Sequence, residues 1–480
     1  MLLKGNLLAG VKFSGTTAAV VSILQLVQLV LLARLLAPLE FGLMGMANVV
    51  IGCATLIADL GIGTAIIHRQ GLTNESLSGL YWLSHLLGIA VFFVIWALTP
   101  VIINVYGEPR LGNVIFLLSF LFLIVPIGQQ FQVLLEKALE FRRLANIEIR
   151  AAAIGVIVAI TMSLFRSDVL ALIGGTLAGA GAKAAMLAAI GWKEWRPSFN
   201  FRWQDLKSFV TFGLHHSGQR SANYISSNVD FFLIGSFLGA QALGYYHVAY
   251  NLATLPSAKI NAVLARVFFP AFALVQNDIG KVKRGYLQMQ EFTSMLNIPH
   301  LLGMAVVAPI AIPLIFGVSW TPSVLLLQIL VVVGLSRSVG GTVGALLLAR
   351  GKPELGFQWS ILIVCIQLPG IYTGVVFGGA VGVAVAFAVL ACVYLVLNYF
   401  ILIRNLLGPC MRDYIMAIGP YILMSAIMAG VMVGVTAALS HLSAPLLLIF
   451  QSGAGLAVYV VLLWHKKKPL LLEVTEVVSV

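Results

Sequence analysis

Charge is what this 480-residue chain has least of: 10% of its residues are Asp, Glu, Lys or Arg, against about 25% in an ordinary soluble domain. So few polar groups cannot clothe a globule of this length in water, and a soluble fold is excluded. Cysteine is scarce too. Cys53, Cys365, Cys392 and Cys410 sit singly in apolar surroundings with no CxxC or Cys/His spacing, which argues against a disulfide scaffold or a thiolate metal site. No HExxH or comparable metal-ligand run occurs; His215 and His216 are adjacent, so on a helix they project about 100° apart and cannot share one ion. The phosphate loop GxxxxGK[ST] is missing, which argues against ATP hydrolysis. The glycine-rich run Gly174 to Gly181 leads into Ala182 and Lys183 within an apolar stretch, where small residues serve close helix packing. Neither a metal site nor a bound cofactor is expected, and no catalytic motif marks an enzyme.

What the chain has in quantity is apolar sequence, 60% by composition, with a mean hydropathy of +1.01. A helix needs about 20 residues to cross a hydrocarbon core of about 30 Å. Apolar runs of that length fall near 14–36, 41–66, 79–104, 112–135, 146–165, 169–191, 208–238, 243–273, 293–316, 322–348, 355–378, 381–404, 413–437 and 443–464. An all-α integral membrane protein of about 14 transmembrane helices is therefore expected. The basic start, Met1 to Lys12, leads into a run too long for a signal peptide and is taken as the approach to the first span.

An even number of spans puts both termini on one side. With the termini inside, only Arg34, Arg110 and Arg166 lie in outside segments, while clusters such as Arg142, Arg143 and Arg150, Lys281, Lys283 and Arg284, and Lys466 to Lys468 lie inside. This asymmetry sets a cytoplasmic orientation for both termini. The longest polar stretches, 192–207 and 274–292, then face the cytoplasm. The first sets Trp192, Trp195 and Trp203 among basic residues and reads as a segment lying in the headgroup interface.

That segment divides an internal repeat. Leu36-Ala37-Pro38-Leu39-Glu40-Phe41-Gly42, with Ala47 beyond, superposes at an offset of 202 on Leu238-Gly239-Ala240-Gln241-Ala242-Leu243-Gly244, with Ala249 beyond. Six helices separate the copies, so the repeat is parallel, about an axis along the membrane normal. The expected organisation is an N-lobe at 1–191, an interfacial linker at 192–207, a C-lobe at 208–404, and two further helices with a basic tail at 405–480. The lobes form two pseudo-symmetric six-helix halves around a central cavity.

Ionisable side chains at membrane depth cost several kcal/mol unless they face a cavity or a partner. They are Asp59, Lys183, Arg220, Asp230, Lys259, Arg266 and Arg337, with Lys183 and Arg266 near enough to the cytoplasmic ends to snorkel. Five basic groups against two acidic ones suit a substrate bearing phosphate or carboxylate charge and many hydroxyls. Arg220 and Lys259, with Arg337 third, are the expected anion contacts. Gln25, Gln28, Gln219, Asn223, Asn228, Tyr250 and Asn261 are candidate hydrogen-bond partners for the hydroxyls of such a substrate. Asp59 and Asp230 are candidates for a proton or cation site, because a carboxylate in low dielectric can change its charge state.

Longer stretches carry a resemblance. Leu31-Leu32-Ala33-Arg34-Leu35-Leu36-Ala37-Pro38-Leu39-Glu40-Phe41-Gly42, Asp59-Leu60-Gly61-Ile62-Gly63-Thr64-Ala65 through Gln70, Pro126-Ile127-Gly128-Gln129-Gln130-Phe131-Gln132, Asn223 to Asp230, Gly244-Tyr245-Tyr246 with Ala249-Tyr250-Asn251-Leu252, and Leu348 to Pro353 resemble the polysaccharide flippases of the multidrug/oligosaccharidyl-lipid/polysaccharide exporter (MOP) superfamily, in the colanic-acid exporter-like branch (Wzx type). The matches run through the first eleven spans. The resemblance implies a multi-pass protein of the bacterial inner membrane, a monomer, that carries undecaprenyl-pyrophosphate-linked oligosaccharide repeat units to the periplasmic leaflet by alternating access for surface polysaccharide synthesis. It implies a coupling H+ or Na+ but no cofactor, and as partners membrane lipids and the polysaccharide polymerase and chain-length machinery, with no nucleic acid. Two alternatives stand beside it. A drug or cation antiporter of the same superfamily would need a net negative aromatic cavity, and a membrane-embedded polymerase or ligase would carry a large outside loop, which this chain lacks.

Overall fold

The structure, a computed structural model, describes residues 2–68, 73–199, 203–274 and 278–478. Among these it is helical throughout, with no strand. The elements are α1 (Leu2–Leu35), α2 (Pro38–Asp59), α3 (Ile62–His68), α4 (Asn74–Tyr106), α5 (Leu111–Ser119), α6 (Leu121–Lys137), α7 (Phe141–Phe165), α8 (Leu170–Glu194), α9 (Trp203–Leu274), α10 (Ile279–Phe316), α11 (Pro322–Gly340), α12 (Val343–Ala349), α13 (Pro353–Asn398), α14 (Arg404–Leu407), α15 (Met411–Ala438) and α16 (Ala444–Val478). Eleven helical stretches among the described residues are long and apolar enough to cross a membrane. Two elements are longer than one crossing. The 72-residue α9 breaks at Gly239, whose φ is 81°, and the Glu354–Leu407 stretch breaks at Gly379, whose φ is 55°. Both breaks need a backbone conformation that side chains with a Cβ resist.

Helix ends follow local chemistry. Proline opens α2, α11 and α13, where the missing N–H costs nothing. The Thr73 hydroxyl accepts from the Ser76 N–H at the start of α4, and the Asp278 carboxylate accepts from the Lys281 N–H at the start of α10, as N-caps do. The hydrogen bonds from the Lys281 backbone and side chain hold the Asp278 carboxyl below its ordinary range.

The chain gathers into two compact units, residues 1–247 with 360–375, and residues 248–359 with 376–480. In the first, α7 and α8 lie glycine to glycine: a Cβ on Gly155 would come within 2.8 Å of the Gly175 carbonyl, and one on Gly175 within 2.5 Å of the Ala159 side chain. The small residues of the 174–181 run therefore serve helix packing. Buried Glu40 ties three elements, accepting both from the Arg110 guanidinium, at 2.9 and 3.0 Å, and from the Val169 N–H at 2.8 Å. In the second unit, α10 packs on α11 and α15, and Phe272, Val282, Tyr286, Met289, Val343 and Tyr399 belong to one apolar cluster.

Two polar stretches read as connections carry more structure than expected. The 274–292 stretch is largely helix, because α10 starts at Ile279 and buries Val282, Tyr286 and Met289 at helical spacing. The 192–207 segment starts as the last turn of α8 and then folds back on α4. The Ser198 N–H donates to the Ser78 hydroxyl, the Trp82 indole donates to the Ser198 carbonyl at 3.0 Å, and Phe199 stacks on Trp82 at 4.4 Å.

Candidate functional site

The polar and close-packed residues form three groups. The first is a crossing in unit 1 between the start of α2 and the break of α9. A Cβ on Gly42 would run into the Ala240 carbonyl, and one on Gly244 into the Pro38 carbonyl. At the offset of 202, Pro38 corresponds to Ala240 and Gly42 to Gly244, so the contact is reciprocal, each glycine resting on the residue that opens the other copy. Contacts of that form belong to a two-fold relation. Gly45 and its counterpart His247 face one another, 3.6 Å from a Cβ on Gly45 to the imidazole Nδ1. Ala47 and Ala249 are both wholly buried.

Further along the same helices, a Cβ on Gly52 would strike the Tyr224 hydroxyl, which reaches the Asn48 and Val49 carbonyls at 3.1 and 3.0 Å. Asp230 is fully buried and accepts from the Tyr246 hydroxyl at 2.7 Å, a bond that ties the two arms of α9 across Gly239. The carboxylate thus lies inside a packed junction.

The second group is a cavity of about 510 Å³ in unit 1, lined by Asp59, Gln129, Gln132, Glu136 and Lys183 on its polar side and by Ile67, Val125, Val133 and Leu187 on its apolar side. A smaller one of about 210 Å³ shares Asp59, Val125 and Gln129 with it. The helix break makes the place. α2 stops at Asp59, Leu60 and Gly61 turn left-handed at φ 37° and 64°, and α3 restarts at Ile62. Asp59 therefore stands at the carbonyl end of a helix, where partial negative charge favours donors and cations. Gln129 Nε2 supplies one donor at 2.8 Å. Gln132 Nε2 donates to Glu136 at 2.8 Å, and Lys183 pairs with Glu148 at 3.2 Å. Broken helices of this kind mark binding sites in transporters.

The third group lies in unit 2. The Arg337 guanidinium stacks 5.3 Å from the ring of Tyr250 and 5.5 Å from that of Phe387, and Tyr250 is itself buried. Lys259 is exposed. Asn261 is held by its neighbours, its Nδ2 donating to the Ser338 carbonyl at 2.8 Å and its Oδ1 accepting from Asn297 at 3.0 Å.

The remaining predicted residues are scattered in their settings. Gln25 is exposed and Gln28 half-buried on α1, Asn223 is exposed, and Asn228 Nδ2 donates to the Tyr224 carbonyl. The side chains of Gln219, Arg220 and Arg266 lie outside the described residues. Gln129, Gln132, Glu136 and Glu148 escaped the sequence reading as site residues. The spacing 129, 132, 136 puts the first three on one helix face, and that was the available signal. Glu148 also alters the charge balance, since it neutralises Lys183.

An all-helical membrane protein with a polar cavity at a broken helix and a two-fold helix crossing is built as a transporter is. The chain belongs to the polysaccharide biosynthesis protein family, whose model matches residues 31–325. It is 33% identical to the lipopolysaccharide biosynthesis protein WzxC of Escherichia coli (strain K12), over 87% of this chain and 85% of that one. It is 31% identical to the teichuronic acid biosynthesis protein TuaB of Bacillus subtilis (strain 168), over 95% of each. Among solved structures it shares the fold of the lipid II flippase MurJ in an inward closed conformation, with a TM-score of 0.78 at 14% identity over 96% of this chain and 99% of that one. It also shares the fold of an inward-facing multidrug resistance MATE family transporter of the MOP superfamily, with a TM-score of 0.63 at 16% identity over 82% and 94%.

Proposed function

We propose that the chain is a flippase that carries an undecaprenyl-pyrophosphate-linked oligosaccharide from the cytoplasmic to the periplasmic leaflet of a bacterial inner membrane by alternating access, coupled to an H+ or Na+ gradient. The observation that carries this reading is the family membership together with a fold shared with a lipid II flippase along nearly the whole chain. Taking the Glu354–Leu407 stretch as two spans and adding the two arms of α9 carries the eleven to fourteen, with both termini cytoplasmic. The two lobes are 1–191 and 208–404. The first arm of α9 lies in unit 1, where the Tyr224 hydroxyl donates to the Val49 carbonyl of α2.

Roles divide by charge. Lys259, Arg337 and Arg220 meet the pyrophosphate or acidic sugars, since guanidinium and ammonium groups pair with phosphate. The Asp59 cavity holds carboxylates, amides and a lysine already paired, so it takes sugar hydroxyls or the coupling ion. Deletion of the gene followed by lipid extraction tests the function. The expected result is loss of the surface polysaccharide with lipid-linked repeat units accumulating on the cytoplasmic leaflet. Intact polysaccharide with no accumulation contradicts it.

A further inference from the structure

The hydrogen bonds along the wall of the Asp59 cavity run one way. An ionised carboxylate only accepts, so Gln129 turns its Nε2 to Asp59 Oδ1 and Gln132 turns its Nε2 to Glu136 Oε1, both at 2.8 Å. The two amide oxygens are thereby fixed as acceptors, and no donor among the described residues reaches either. Turning either amide over would set oxygen against oxygen. Gln129, Gln132 and Glu136 share one face of α6, and with Asp59 they line the same space of about 510 Å³. Its polar wall thus carries two acceptor pairs, Glu136 with Gln132 and Asp59 with Gln129.

The helix ends add to this wall. Asp59 is the last residue of α2 and Glu136 the last but one of α6, so each carboxylate stands beside the orphan carbonyls and partial negative charge of a C-terminus. The basic residues nearby are engaged. Lys183 pairs with Glu148 at 3.2 Å, and Lys137 turns its ammonium to the Ile66 carbonyl at 2.8 Å. Glu136 makes no ion pair among the described residues. Ile67, Val125, Val133 and Leu187 supply an aliphatic lining, and no aromatic ring is among the described lining residues.

Size and polarity select the occupant. The volume is that of a small-molecule site, far more than a bare ion fills. Phosphate and carboxylate are repelled by the two carboxylates. A neutral hydroxyl donates as well as accepts and uses only half its capacity on a wall of acceptors, and a flat aromatic cation finds no ring to stack on. An ammonium has three donors and no acceptor.

We propose that this cavity is a subsite for a protonated primary amine on a saturated scaffold, with the ammonium at the Glu136–Gln132 pair and a further donor of the same ligand at the Asp59–Gln129 pair. The amine is carried by a sugar of the transported glycan or by a free aliphatic amine. The first source rests on the flippase reading above; the preference for an amine does not.

The test is isothermal titration calorimetry on the purified full-length chain in detergent. Glucosamine, glucose and N-acetylglucosamine, which place an ammonium, a hydroxyl and an amide at one ring position, are compared with 1,5-diaminopentane. Saturable glucosamine binding at least tenfold tighter than that of glucose or N-acetylglucosamine is expected. Glu136→Gln is expected to abolish that preference, and Glu140→Gln, a charge removed outside the cavity lining, is expected to retain it. Glucosamine binding tighter than diaminopentane assigns the amine to the glycan, and the reverse order assigns it to a free amine. Glucosamine binding no tighter than glucose overturns the proposal on the wild-type chain alone, and so does equal loss of the preference in Glu136→Gln and Glu140→Gln. No transport step enters the measurement, so amine binding can fail while glycan flipping succeeds, and the reverse.

Discussion

Gly42 and Gly244 lack side chains because an opposing carbonyl occupies the space where a Cβ would stand. Gly42→Ala must therefore push α2 off α9, at a cost of about 1–3 kcal/mol for overpacking, and a lowered thermal midpoint is expected. Gly430→Ala is the control: nothing lies within 4 Å of its added methyl, and a helical glycine replaced by alanine is expected to gain up to about 1 kcal/mol. Equal midpoints for the two variants would remove the close approach. At Arg337 charge and shape can be separated. Arg337→Lys keeps the cation but gives up the planar stacking on Tyr250 and Phe387, worth about 0.5–2 kcal/mol. Export in that variant is expected to fall between those of the wild type and Arg337→Ala, measured as surface polysaccharide at matched protein levels.

Among the elements, the break between α2 and α3 and the Glu40 junction matter most. Glu40→Ala strips the Arg110 guanidinium and the Val169 N–H of a shared buried acceptor, and a loss of about 2 kcal/mol is expected, read as the midpoint of detergent-solubilised protein. Asp59→Ala removes the acceptor of Gln129 at the edge of a cavity. It is expected to reduce export strongly with little change in midpoint, whereas normal export would take the cavity out of the mechanism. Much at this scale was legible in the sequence. Apolar runs located the eleven helical stretches long and apolar enough to cross a membrane among the described residues, and the 202 offset pointed to the pair of segments that touch. What was not legible came from faces and breaks. The stretch before residue 293 reads as polar because charged Lys281, Lys283 and Arg284 mask the buried stripe Val282, Tyr286 and Met289. The break at Leu60 is hidden because leucine rarely turns left-handed. Glu148 was passed over because its partner Lys183 stands on another helix, 35 residues on.

For the whole molecule the proposed function divides the basic residues into those that orient the chain and those that meet substrate. If the orientation is as proposed, single cysteines placed at Arg110 and Arg166 in a cysteine-free background will react with an impermeant maleimide added to intact cells. Those at Arg143 and Lys283 will react only after the membrane is opened. The reverse pattern would invert the proposed direction of transport.

The central claim is the movement of a lipid-linked glycan from one leaflet to the other. It is tested most directly by reconstituting the purified chain in proteoliposomes with a fluorescent polyprenyl-pyrophosphate oligosaccharide and following its exposure to a lectin outside the vesicles. Protein-dependent exposure of the inner-leaflet pool, lost in Arg337→Ala and Asp59→Ala and faster under an imposed ion gradient, is the predicted result. Exposure no faster than in protein-free vesicles, with the chain folded and the gradient present, would contradict it.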